Sequence, residues 1–199
     1  MSHVNRAFRG LVWSNTYISL TAAGMALTTM VLAELPLVGL PLFIAFSTFF
    51  FIYNLDRYTD REEDKTNVPQ RAAFFERYGR FLLPASAILY LIGLSLAYSR
   101  NPLSFAFALS PGILSVIYSI AGAKSILFGK NIIVGLGWGT VPLMVGAYFS
   151  GLGVRVALLF LYFTVVWFIN TIVFDVKDIE GDRRGGGPDG SERLRAWVR

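Results

Sequence analysis

Six stretches of about twenty residues, 14–34, 36–55, 81–98, 103–121, 131–150 and 155–174, run without an internal charge, and Glu34 and Arg155 sit only at their ends. A bilayer's hydrocarbon core of about 30 Å needs roughly 20 apolar residues per helix. Lipid supplies no hydrogen-bond partners, so a helix that satisfies its own backbone is the natural spanning form. Strand-like alternation is absent, which argues against a barrel. The pattern predicts an all-α, polytopic transmembrane helical bundle of about six spanning helices. It forms one domain over residues 1–182, with a charged cytoplasmic loop near 56–80 and a polar tail at 183–199 whose composition predicts disorder. Charged residues make up 16% of the 199 positions, against about 25% in soluble domains. The apolar run after Arg6 and Arg9 is longer than a cleaved signal's core, so residues 1–13 read as a cytoplasmic lead into a retained first helix.

Orientation follows from Lys and Arg. With the N-terminus cytoplasmic, sixteen of the eighteen fall on the inner side, leaving only Arg100 and Arg155 outside. Of the thirteen acids only Glu34 falls outside. Both termini are therefore expected to be cytoplasmic, in a multi-pass protein of the cell inner membrane. The basic residues are explained by this placement, so the net charge of +5 is no argument for nucleic acid. The chain has no cysteine and a single histidine, His3, which excludes disulfides and thiolate or histidine metal sites.

Two acidic clusters carry the chemistry. In "NLDRYTDREEDKTNVPQR", Asp56, Asp60 and Asp64 recur every four residues. In "FINTIVFDVKDIEGDRR", Asp175, Asp178 and Asp182 are separated by three and four. On a helix both sets keep to one stripe. Both begin where a span reaches the same surface, so six aspartates from two helices are expected to converge. Stacked like charges destabilise a helix by a few tenths of a kcal/mol per pair. Interleaved Arg57, Arg61, Lys65, Lys177, Arg183 and Arg184 offer one compensation, as solvated ion-pair faces. A hard divalent cation offers another. Oxygen-only ligands select Mg²⁺, which keeps waters and completes its octahedron with substrate phosphates. Within a membrane, a metal between two carboxylate clusters fits a lipid diphosphate, with the headgroup at the carboxylates and the chain among the helices.

Glycines at 135, 137 and 139 in "GLGWG" read as a close-packing helix face, since a nucleotide loop would need a preceding strand and a following Lys-Ser or Lys-Thr. Pro41, Pro111 and Pro142 lie inside spans and are expected to kink them. Trp13 and Trp167, nearer to span ends than to centres, read by default as interfacial anchors. A divalent-cation transporter would carry charges at mid-membrane, where these spans have none. A non-catalytic membrane protein that binds metal or lipid headgroups stays compatible with the pattern.

"YNLDRYTDREEDKTNVPQR" and "NTIVFDVKDIEGDRR" resemble the two aspartate-rich signatures of the UbiA superfamily of membrane prenyltransferases, in the right order, after the second and sixth spans. "VIYSIAGAKSILFGKN" resembles the tyrosine and basic residues at that family's turn between helices four and five. The resemblance implies Mg²⁺-dependent transfer of an isoprenyl group from its diphosphate to a lipophilic, commonly aromatic, acceptor. It assigns Asp56, Asp60, Asp64, Asp175, Asp178 and Asp182 as catalytic residues and metal ligands. Arg71, Lys124 and Lys130 become diphosphate contacts, and Phe49, Phe50, Tyr53 and Tyr118 candidates for the chain pocket or for shielding an allylic cation. Asn54 departs from the usual signature, because Leu55 rather than Asp follows it, and it reads as a substrate-site residue, a metal ligand or a helix-end cap. The family usually has nine spans, and the polar tail after the sixth reads as a truncation.

Overall fold

In the computed structural model, residues 3–59, 65, 68–120 and 129–184 are described, with 3–7, 117–120, 130 and 175–184 described for the backbone alone. All regular structure among them is helical: α1 (His3–Trp13), α2 (Thr16–Leu32), α3 (Gly39–Thr59), α4 (Pro69–Arg100), α5 (Pro102–Ile120), α6 (Gly129–Tyr148) and α7 (Val154–Arg184). Each apolar stretch seen in the sequence lies within or along one of α2 to α7. Four of these helices are long and apolar enough to cross a bilayer, over Gly39–Thr59, Pro69–Arg100, Asn131–Tyr148 and Val154–Phe174. The apolar helix α2 is shorter, at 17 residues, or about 26 Å at 1.5 Å per residue. Together they make a helical membrane bundle.

From α2 onward sequential helices are antiparallel neighbours, α1 instead runs parallel to α4, and α2 closes the arrangement by packing on both α6 and α7. The starts of α2, α4 and α6 therefore share one end with the finishes of α3, α5 and α7. Helix α6 is the centre: 72% of its span is buried, against 11% for α7. Small residues explain its position. A Cβ on Gly135 would meet the Thr164 carbonyl oxygen at 2.8 Å, and one on Gly139 would overlap the Thr164 hydroxyl and press on the Phe160 ring. Bare backbone at these two positions lets α6 and α7 lie together, as the packing reading of "GLGWG" expects. The core then fills with Met25, Ala26 and Met30 from α2, Ile44 and Phe49 from α3, Tyr90 from α4 and Trp138, Met144 and Val145 from α6. Two polar side chains inside it find carbonyl partners on neighbouring helices: Ser104 Oγ donates to the Met144 carbonyl at 3.0 Å and Tyr90 OH to that of Ala108 at 3.3 Å.

Three features depart from the sequence reading. The lead into the first span is itself a helix, α1, set off by a turn in which Asn15 takes φ 62°, a left-handed conformation that asparagine tolerates better than most residues. The charged segment 56–80 is helical at both ends, because α3 runs to Thr59 and α4 starts at Pro69. Proline at a first helical position costs no hydrogen bond, so α4 can begin there, well before the apolar run. Pro41 falls in the first turn of α3, where no kink is required, whereas Pro111 and Pro142 do lie inside α5 and α6.

At the opposite end, Glu34 and Arg155 form an ion pair between the end of α2 and the start of α7. The hydrogen bond and then the charge of Arg155 hold the Glu34 carboxyl below its usual range. A lowered folded-state pKa contributes stability above the unfolded value and loses it as pH falls through the folded one. Both groups are exposed, so solvent screens the pair. Glu34→Gln is therefore expected to shift the unfolding midpoint only slightly at pH 7. That small difference should shrink as pH falls below the ordinary carboxylate range and through the lowered folded-state value, and also in high salt, as thermal scans across pH will read.

Candidate active site

Along α3, Phe49, Tyr53 and Asp56 fall at offsets of four and three, one stripe of the helix. Phe49 is buried, Tyr53 and Asp56 half-buried. The stripe leads from the core to the helix end, and Asp60 and Asp64 lie outside the described residues. Along α7, Trp167, Thr171 and Asp175 are spaced by four, and Asp178 and Asp182 follow at three and four on the same continuous helix. Thr171 marks which side of α7 this is. Its hydroxyl accepts a hydrogen bond from Asn131 Nδ2 of α6 at 3.1 Å. The second aspartate register therefore starts from the flank of α7 that meets α6.

An aromatic stack joins the two stripes. Trp138 of α6 stacks on Trp167 at 3.8 Å between centroids and 6° between planes. Phe49 lies 4.1 Å from it on the α3 side. Trp138 Nε1 donates to the Tyr53 hydroxyl at 3.2 Å, and Trp167 Nε1 lies 3.3 Å from the Met25 sulfur. Tyr53 precedes Asp56 by about one turn and Trp167 precedes Asp175 by about two. Both stripes thus rise from one rigid platform. Trp167 is half-buried against the core rather than a free interfacial anchor: α6 presents Trp138 to it, and the ring gains a stacking partner that lipid does not provide. Sequence reasoning missed Trp138 altogether. The available signal was a single large ring set among glycines that clear the space around it.

Asn54 locks the end of α3 to the turn before α2. It is fully buried, and its Nδ2 donates to the Phe50 carbonyl at 2.7 Å and the Ser14 carbonyl at 3.5 Å. Its Oδ1 accepts from Asn15 Nδ2 at 3.3 Å, while the same Asn15 amide reaches the Tyr53 carbonyl at 3.2 Å. With every polar atom engaged, Asn54 positions the helix that carries Asp56. Asn54→Leu leaves buried donors and acceptors unpaired and is expected to lower stability by about 1–3 kcal/mol. Denaturant unfolding in detergent micelles checks this, and a variant as stable as wild type contradicts it.

The remaining sequence candidates gather at the same end. Arg71 is half-buried in the first turn of α4. Tyr118 lies in the last turn of α5 and Lys130 in the first of α6 by backbone, and Lys124 falls outside the described residues. Lys65 pairs with Glu76 at 3.7 Å. The donor set in these registers is carboxylate oxygen alone, from a chain with no cysteine, which fits a hard cation such as Mg²⁺ and no soft one.

Residues 17–189 match the UbiA prenyltransferase family. Over 160 residues the chain is 32% identical to a protein named digeranylgeranylglyceryl phosphate synthase from Methanococcoides burtonii, an alignment covering 76% of this chain and 57% of that relative. The chain thus spans little more than half of the relative's length. No solved structure matches it. Two aspartate registers rising from one platform within a helical membrane bundle agree with a match over most of the sequence, and the chain belongs to the UbiA prenyltransferase family.

Proposed function

We propose that this chain carries the diphosphate-binding half of a membrane isoprenyl transfer. An isoprenyl diphosphate would lie with its diphosphate at the cytoplasmic ends of α3 and α7 and its chain among the helices. The observation that carries this reading is the common platform of Tyr53, Trp138 and Trp167, from which the registers of Asp56 and of Asp175, Asp178 and Asp182 both lead. Family membership and the relative's name support it.

In this reading Asp56, Asp60 and Asp64 face Asp175, Asp178 and Asp182 across the site and would hold Mg²⁺. When bound, Mg²⁺ supplies Lewis-acid neutralisation of the departing diphosphate. The chain's own residues do the rest. Arg71, Lys124 and Lys130 add positive charge where negative charge develops as the bond from the first isoprenyl carbon to the diphosphate oxygen breaks. Tyr53 and Phe49, next to the platform, offer ring faces to an allylic cation, and Asn54 keeps Asp56 at its post. The acceptor atom then bonds to the same carbon and gives up its proton to the released diphosphate or to water. Acceptors to assay first are aromatic rings, by family resemblance, and a glyceryl phosphate lipid with a geranylgeranyl donor, by the relative's name.

Membranes holding the chain, given labelled isoprenyl diphosphates with Mg²⁺ or EDTA, test the proposal. The expected result is diphosphate release that needs Mg²⁺ and stops when Asp60 and Asp178 are both changed to Ala. Release that ignores Mg²⁺, or persists in that double variant, rules it out.

A further inference from the structure

Helix α1 runs beside the first turns of α4 without merging with them. Trp13 meets Phe74 with ring centroids 5.8 Å apart, and Arg9 Nη1 donates to Gln70 Oε1 at 3.4 Å. Between the two helices lies a groove of about 400 Å³ lined by Arg9, Trp13, Val68, Pro69 and Gln70. Among the described residues its lining holds one cation, one indole, one amide and no carboxylate. The Arg9 guanidinium sits 5.7 Å over the Trp13 ring. The long bond to Gln70 engages one of its five donors, and no ion pair joins it among the described residues.

The rest of α1 is unusual for a helix outside the spans. Phe8, Leu11 and Val12, at helical spacing, are 57%, 45% and 43% exposed, and Tyr17 and Leu20 extend the apolar surface onto α2. Arg6, Arg9 and Trp13 fall on a separate stripe at offsets of three and four. An apolar ridge beside a basic, indole-bearing stripe is the design of a helix lying in a bilayer's interface. This one sits at the bundle end where the spans emerge.

We propose that the groove between α1 and α4 binds the headgroup of an anionic phospholipid from the adjoining leaflet. The lipid phosphate meets Arg9, and an acyl chain follows Phe8, Leu11 and Val12. Charge selects the occupant. A zwitterionic headgroup brings its own cation beside Arg9, and among the described residues the groove lining has no carboxylate to receive it. A soluble phosphate leaves the apolar ridge uncovered. Lipid binding here stands apart from isoprenyl transfer, since neither Arg9 nor Trp13 belongs to the aspartate site.

Brominated lipids quench nearby tryptophan and give the test. The full chain is reconstituted in phosphatidylcholine vesicles in which either phosphatidylglycerol or phosphatidylcholine is brominated. The Trp13 contribution is the signal lost in Trp13→Phe. Brominated phosphatidylglycerol is expected to quench Trp13 at about fivefold lower mole fraction than brominated phosphatidylcholine. The preference should disappear in Arg9→Gln, persist in Arg9→Lys and withstand millimolar inorganic phosphate. Equal quenching by the two lipids, a preference unchanged in Arg9→Gln, or one abolished by free phosphate overturns the proposal.

Discussion

Changing Asp178 or Asp56 to Asn is expected to lower isoprenyl transfer by about 10²–10³-fold, and in the case of Asp178 to leave the fold as stable as before. The rate falls because a neutral amide binds a hard cation poorly, and the departing diphosphate loses the charge that stabilises it. Stability holds for the opposite electrostatic reason. Asp175, Asp178 and Asp182 stack on one helix, and removing one charge relieves a repulsion of a few tenths of a kcal/mol per pair. A site built for function in this way shows activity and stability moving apart. Single-turnover rates at saturating Mg²⁺, set beside unfolding midpoints of the same preparations, check both halves. Near-wild-type rates in both variants would return the aspartates to the status of solvated helix faces.

Trp138→Ala is expected to destabilise the bundle by about 3–5 kcal/mol, the largest structural loss any single change here should give. Trp138 is only 1% exposed and heads the largest fully buried side chains. Truncation empties the space between Phe49 and Trp167 and leaves the Tyr53 hydroxyl without its donor. The neighbouring glycines have no side chains to fill the void. Trp138→Phe keeps a ring but not the N–H, and should cost about 1 kcal/mol through the lost bond to Tyr53. Transfer by Trp138→Ala should fall further than its folded fraction, because the platform also sets the spacing of α3 and α7. Denaturant titration and rate measurement on one sample separate the two effects. An alanine variant with wild-type stability and rate contradicts the platform.

Much of this fold was legible because spanning segments announce themselves by hydropathy alone. Each charge-free run became a helix, and the small residues at 135 and 139 mark where α6 lies directly against α7. The aspartate spacings were legible too, since i, i+3 and i+4 positions share a face whatever surrounds them. What stayed hidden depends on partners distant in the chain. Trp138 finds Tyr53 across 85 residues, and Trp167 finds Met25 across 142. No local pattern reports such meetings, so Trp167 read as an anchor. Asn54 looked equally like a ligand or a cap until Asn15, 39 residues earlier, supplied its partner. Helix α1 escaped notice because a single left-handed residue, Asn15, splits it from a span into which its apolar residues otherwise run.

The central claim is that the carboxylates of α3 and α7 act on one diphosphate, and a double-mutant cycle measures that directly. Mg²⁺-dependent binding of a labelled isoprenyl diphosphate is compared for wild type, Asp56→Asn, Asp178→Asn and the double variant. One shared site predicts that the double variant binds far better than the product of the two single losses, a coupling of at least about 1 kcal/mol. Losses that simply multiply would mean that the two helices act separately, and would contradict the account.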